Sequence, residues 1–480
     1  MNRGTLLALT VLVIAVVAFA GYLAVTEAPR VPSSTSSPST SVAVTSVTST
    51  STVTSSLTGL GCGVGSVSEP DWTTYHGSGA RTGYVDIAVS CADDDWRSVS
   101  LDGDVYAEPL VSQGMVIVAT ENDSVYALNS TSGAIIWRAH VGSPVPGSAL
   151  PCGDIDPSGI TGTPVIDPVA GTVYVVAFET PGTHYLVGLA LEDGHVESTT
   201  PADPPGADPL VQQERGALAL ANGRVYVPYG GLEGDCGDYH GWVVGLNADG
   251  SGGEVSYEVP TNREGGIWAP SGIAVNPSGD LFVATGNGDS TTMFDHGDSV
   301  IELSPELTEI GYFAPSNWAA LNAGDTDLGS VGPMLLSPAE IFQIGKEGVG
   351  YLIDAASLGG IGGQVFGGRV CSSAFGGDAA ALGTIFVPCD DGLFALSYTA
   401  NAFKALWNVT GFAAGPPVVT GGVVWALDTS NGTLLGYAAG TGSQLYAFVV
   451  GGATRFTTPS VGEGRVFLAA GDRVFAFVTG

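Results

Sequence analysis

Residues 106–137 read YAEPLVSQGMVIVATENDSVYALNSTSGAIIW. Three apolar runs, Pro109-Leu110-Val111, Met115 to Ala119 and Val125 to Leu128, are followed by a fourth, Ala134 to Trp137, that ends on a large aromatic. Glycine, Asn-Asp and Ser-Thr-Ser clusters separate the runs, as short antiparallel connections require. Weaker copies recur at intervals of roughly forty to sixty residues, the period of propeller blades. The stretch therefore predicts a four-stranded blade repeated around a ring.

Beyond this unit, first-strand candidates recur at Thr163–Ile166, Ala217–Ala219, Gly272–Val275, Pro333–Leu336, Asp378–Ala380, Pro417–Val419 and Pro459–Val461. Each precedes a glycine-containing turn and a second apolar run. The last repeat runs out at Val474 to Val478 after three strands, and Trp96 to Leu101, ahead of the first full unit, reads as an orphan fourth. Pairing the two closes a ring and protects its sheet edges. The expected fold is all-β: an eight-bladed β-propeller closed by an N-terminal strand, with seven blades the alternative if the degenerate repeat near Phe375 is not one.

Composition agrees. Charged residues make up 13% of the chain and glycine numbers 71 of 480 residues, which suits short strands and tight turns. Lys and Arg total 14 against 47 acids, for a formal net charge of −33. Such a surface repels nucleic acid and anionic lipid, so neither is expected as a partner. A solubilising surface on an exported protein accounts for the acids, and an acidic external medium, in which they are protonated, does so too.

Thr5 to Val25 is an unbroken apolar run behind Arg3, about the 20 residues that span a bilayer as a helix. Ala18-Phe19-Ala20 also fits a signal-peptide cleavage pattern. Residues 1–31 are thus a signal peptide or a signal-anchor helix, and either exports the rest of the chain. Residues 32–58, mostly Ser, Thr, Val and Pro, cannot bury a core and read as a tether. A lead-in covers 59–95 and the propeller 96–480. On the exported side the 6 cysteines favour disulfides. The expected pairs are Cys62–Cys91 and Cys371–Cys389, which close short loops, and Cys152–Cys236, which ties two long insertions. Insertions at 144–159, 202–213 and 230–239 predict that the early blades cap one mouth of the ring.

The repeat contains Ala127-x-Asn129-x-x-x-Gly133-x-x-x-Trp137 and is preceded by DWTTYHGSGARTG. These resemble the tryptophan-docking repeat and the lead-in of the pyrroloquinoline quinone (PQQ)-type, quinoprotein alcohol dehydrogenase-like propellers. The resemblance covers roughly Asp71 to Val478. It implies that each tryptophan fills the space between neighbouring blades.

Further segments resemble the family's active-site elements, in family order. Gly265-Gly266-Ile267-Trp268 matches the segment whose tryptophan floors the flat quinone. Gly286-Asn287-Gly288 matches a calcium-ligating asparagine, and an amide oxygen suits a hard cation. Asp325-Thr326-Asp327-Leu328 matches the segment of the catalytic aspartate, with Asp327 the closer match as general base. Lys346, in GKEGVGYLID, matches the cation that contacts the quinone oxygens, and Arg215-Gly216 matches an arginine on a PQQ carboxylate. The calcium-binding glutamate has no counterpart; GDCGDYHGW stands there, so Asp235 or Asp238 has to replace it. The family's adjacent Cys-Cys pair and an attached-haem Cys-x-x-Cys-His are both absent.

The resemblance implies a PQQ- and Ca²⁺-dependent oxidation of an alcohol, polyol or sugar by an extracytoplasmic protein. The other reading is a non-catalytic surface or scaffold propeller that recognises a glycan, polymer or protein. Substrate, electron acceptor and oligomeric state are not legible in the sequence.

Overall fold

The computed structural model describes Cys62 and residues 70–480. The expected apolar helix and tether lie outside the described residues. Among the described residues no helix is long and apolar enough to cross a membrane.

Eight antiparallel four-stranded blades form the ring. Blade 1 is Leu110–Ser112, Met115–Thr120, Ser124–Asn129 and Ile135–His140. Blades 2 to 7 begin with the inner strands Val165–Asp167, Ala219–Ala221, Ala274–Val275, Met334–Ser337, Ala379–Ala381 and Val418–Thr420. Blade 8 takes Ser460–Gly462, Arg465–Ala470 and Arg473–Thr479 from the C-terminus and Ala92–Arg97 from the N-terminal side. The seven-blade alternative is excluded, because the repeat after Phe375 is a complete blade. The closing strand starts at Ala92 rather than Trp96 and ends at Arg97 rather than Leu101.

The middle strands carry continuous apolar runs because each blade is covered on both faces by its neighbours; Met115–Thr120 is buried throughout. Outer strands alternate, and in Ile135–His140 Trp137 is the one fully buried side chain. Tryptophans dock between blades as expected. A Cβ on Gly133 would lie 2.5 Å from the Trp96 ring, and one on Gly194 2.5 Å from Trp137. Trp137 Nε1 donates to the Leu191 carbonyl at 3.0 Å, and Trp96 Nε1 to that of Ser130 at 2.9 Å. All three expected disulfides are present: Cys62–Cys91, Cys152–Cys236 and Cys371–Cys389.

The lead-in floors the central channel. Trp72 exchanges backbone hydrogen bonds with Val111 of blade 1, and the carbonyl of Thr73 accepts from Ile166 of blade 2. Those of Gly79, Ala80, Thr82 and Gly83 accept from Val275, Leu335, Ala380 and Val419, in blades 4 to 7. The buried Arg81 guanidinium donates to the carbonyls of Leu218 (3.0 Å) and Ile273 (2.9 Å), beside blades 3 and 4. The segment thus ties six blades through its main chain and blade 3 through the Arg81 side chain. Tyr84–Val85 then adds a short parallel strand to blade 7.

Candidate active site

Above that floor, where the inner strands begin, lies a cavity of about 540 Å³, within the range of small-molecule sites. Tyr75 of the lead-in is at its base, and Tyr106, Trp268, Phe375 and Phe456 supply aromatic walls. Arg215, Lys346 and Arg455 bring three cations, offset by Asp154 and Glu233. A second cleft of about 180 Å³ shares Arg215, Glu233, Trp268 and Lys346 with it and adds Asp235, Asn287, Asp325 and Asp327.

Asp327 is the centre of the arrangement. It is only 4% exposed, and both of its oxygens are engaged. Oδ1 accepts the Asn287 backbone N–H at 3.1 Å, and Oδ2 accepts the Trp268 indole N–H at 3.1 Å. The Lys346 ammonium stands 3.0 Å from Oδ2 and 2.7 Å from Asp325 Oδ1, and 5.7 Å from the centre of the Trp268 ring. Burial raises the Asp327 pKa above the usual carboxylate range, with Lys346 pulling the other way. For Lys346, burial is outweighed by its two aspartates and the pKa rises.

The local backbone explains the convergence. Gly286 N–H donates to the Gly266 carbonyl and Gly265 N–H to that of Asn287, each at 2.8 Å, which laces the Trp268 and Asn287 segments together. Lys346 N–H donates to the Asp327 carbonyl at 2.8 Å. Close approach requires glycines: a Cβ on Gly286 would lie 3.0 Å from Trp268 Nε1, and one on Gly345 2.3 Å from the Asp327 carbonyl oxygen.

The structure thus brings Trp268, Asn287, Asp327, Lys346 and Arg215 to one place. Of the residues expected to hold calcium, Asn287 and Asp235 line the second cleft together. Asp238 is exposed and lines neither cavity. Asp235 accepts the Tyr239 hydroxyl at 2.6 Å, and Asn287 Nδ2 donates to Glu264 at 3.0 Å. Glu264 is in turn paired with Arg263 at 2.7 Å. Among the described residues, the one cluster of three His, Cys, Asp or Glu donors at metal spacing is Cys371, Cys389 and Asp391, and its cysteines are joined in a disulfide.

The early insertions do reach the mouth, through Asp154 and Glu233 beside the Cys152–Cys236 disulfide. The compact late repeats contribute as well: Arg455 and Phe456 come from the loop between blades 7 and 8, and Phe375 precedes blade 6. Sequence reasoning missed these three. With 14 basic residues in the chain, the placement of Arg455 just ahead of an inner strand was the available signal.

Residues 92–231, from the closing strand into blade 3, match a PQQ-repeat family model described as outer membrane protein assembly factor BamB. No curated protein sequence matches the chain. Quinohemoprotein alcohol dehydrogenase from Comamonas testosteroni is similar in structure, with a TM-score of 0.66 at 16% identity over 86% of this chain and 81% of that one. A europium-containing methanol dehydrogenase gives 0.66 at 14% identity, covering 85% and 98%. Residues 92–231 thus carry the PQQ-type repeat, and the ring as a whole shares the fold of these propellers. BamB from Moraxella catarrhalis has the same fold, with a TM-score of 0.56 at 13% identity over 81% of this chain and 100% of that one. At these identities the likeness is one of fold, and a PQQ-type propeller serves both a dehydrogenase and an assembly factor.

Proposed function

We propose that this PQQ-type propeller is an extracytoplasmic oxidoreductase that binds PQQ in the channel-mouth cavity and oxidises an alcohol, polyol or sugar. The observation that carries the reading is the buried Asp327 carboxylate held jointly by Trp268, Asn287 and Lys346 in the cleft that adjoins that cavity and shares Trp268 and Lys346 with it.

The donor set suits a flat tricarboxylate. Arg215, Lys346 and Arg455 gather at one cavity of a chain whose formal net charge is −33, and aromatic rings line the rest. Bound PQQ supplies a two-electron acceptor for the hydride that leaves the substrate carbon. The protein's own residues do the remainder. Asp327 accepts the hydroxyl proton, and burial makes it a stronger base than an exposed carboxylate. Its hydrogen bonds from Asn287 and Trp268 fix the carboxylate's orientation before substrate arrives. The Lys346 ammonium stabilises negative charge at Asp327 and on oxygens that develop charge nearby. No step is assigned to calcium; Asn287 and Asp235 in the second cleft are the residues that would hold it.

The test is to titrate the purified protein with PQQ, following thermal stability and alcohol-dependent dye reduction. Ligand at a hundredfold over Kd stabilises by about 2.7 kcal/mol, a readily measured shift. Asp327→Asn is expected to lower turnover by about 10²–10⁴ while PQQ affinity stays within about threefold. A melting curve unmoved by saturating PQQ overturns the reading. It would favour the second one, a non-catalytic binding propeller, which draws support from the assembly-factor family model over residues 92–231.

A further inference from the structure

Phe456 comes from the loop before blade 8, on the opposite side of the ring from Trp268, which precedes blade 4. Its ring nevertheless reaches Trp268, with centroids 6.3 Å apart and planes at 70°. The Arg215 guanidinium lies 5.4 Å over the same Phe456 ring. The loop is a stiff finger. Thr454 N–H donates to Thr457 Oγ1 at 3.0 Å, Thr457 N–H to the Thr454 carbonyl at 3.2 Å, and Thr458 Oγ1 to the Phe456 carbonyl at 2.8 Å. Its base is tied to the channel floor through Thr458 and the Tyr75 hydroxyl, at 3.3 Å. The neighbouring Arg455 turns the other way, 4.1 Å over the Phe375 ring and 3.8 Å from Asp390.

Phe456 is half-buried and lines the cavity instead of joining a blade core. Burial alone would place a phenylalanine elsewhere, so an aromatic face at this spot calls for a partner. We propose that Phe456 is the second wall of the site: a flat, anionic aromatic ligand is held between Phe456 and Trp268, with Arg215 and Arg455 reaching its carboxylates. The inference rests on the proposed quinone site and adds a residue that no motif in the chain marks.

The Phe456–Trp268 contact is edge-to-face, with centroids 6.3 Å apart, whereas a sandwich separates its two outer planes by about 7 Å. Entry of a ligand therefore requires Phe456 to turn its face toward Trp268 and give up the edge contact. One aromatic contact is exchanged for two.

The test measures affinity of the full chain for two probes, PQQ and naphthalene-2,6-dicarboxylate, in the wild type, Phe456→Ala and Phe456→Tyr. Loss of one stacking face is expected to weaken both probes about five- to tenfold in Phe456→Ala. It should also abolish part of the probe's absorption shift on binding, while Phe456→Tyr stays within about twofold of wild type. A probe that binds wild type and Phe456→Ala equally overturns the wall. If the dicarboxylate binds with this dependence and PQQ does not, the wall stands and the quinone reading falls. If neither binds at 1 mM, both fall.

Discussion

At the scale of single residues, the chemistry concentrates on the Asp327–Lys346 pair. The lysine charge lowers an aspartate pKa that burial has raised, so removing it lets the burial effect act alone. A general base works deprotonated, and its rate is lost as pH falls through its pKa. Lys346→Met is therefore expected to move the acid limb of kcat/KM upward by about one unit or more, read from a pH–rate profile with PQQ saturating; an unmoved limb would separate Lys346 from Asp327 in function. Trp268, Asn287, Asp327 and Lys346 were legible in the sequence because each sits in a short motif and the motifs succeed one another along consecutive blades. Arg455, Phe456 and Phe375 were not. Phe456 meets Trp268 across the ring, and neither a local motif nor a repeat period encodes a contact of that kind. Asp235 and Asp238 lie in an exposed segment, where a sequence does not distinguish a ligand from a solvated loop.

At the scale of elements, a blade is held to its neighbour by a tryptophan set on a glycine. Trp137 is 8% exposed, and its ring covers Gly194 of the next blade. Trp137→Ala is expected to cost about 3–5 kcal/mol, measured by urea unfolding. Ile135→Ala on the same strand, 45% exposed, should stay within about 0.5 kcal/mol; equal effects would mean that the blade interface is not where the stability lies. Inner and middle strands were legible because burial on both faces demands uninterrupted apolar runs. The closing strand was read four residues late. Its first four residues are Ala92-Asp93-Asp94-Asp95, and an outermost strand open to water can carry three successive acids, here with a register shift at Asp95. The threading of the lead-in was also hidden, because carbonyl groups make most of its contacts and carry no side-chain pattern.

At the scale of the whole molecule, acid groups dominate. Several are buried as well as numerous. Burial raises the pKa of Glu108 and Asp123 to about 8 and that of Glu121 to about 7, while Glu214, Asp298 and Asp378 rise well above the usual range. Among the described residues, both carboxylate oxygens of Asp123 and of Asp378 are without a hydrogen-bond partner, which is tolerable for a neutral acid and costly for an anion. Such groups bind protons more tightly in the folded chain. Their contribution to stability is complete below the ordinary values of 3.8 for Asp and 4.5 for Glu, and is lost as pH rises through about 7 to 8. Self-repulsion of the surface acids grows in the same direction. The melting temperature is expected to fall steadily from pH 4 to 8.5, and Asp123→Asn should flatten the decline; a maximum at neutral pH would contradict this account. An acidic medium, one of two explanations open from composition, is the one in which this interior is most comfortable.

The Cys62–Cys91 bond has a mechanical meaning. A pull arriving at Cys62 passes across the sulfur bridge straight to Cys91, one residue before the closing strand Ala92–Arg97. From there it enters the ladder with Arg473–Thr479. The intervening lead-in, with its Trp72, Tyr75 and Arg81, is bypassed and carries no tension. A load that would otherwise be drawn through the floor of the channel is taken at the rim of blade 8, and the cavity above that floor keeps its shape.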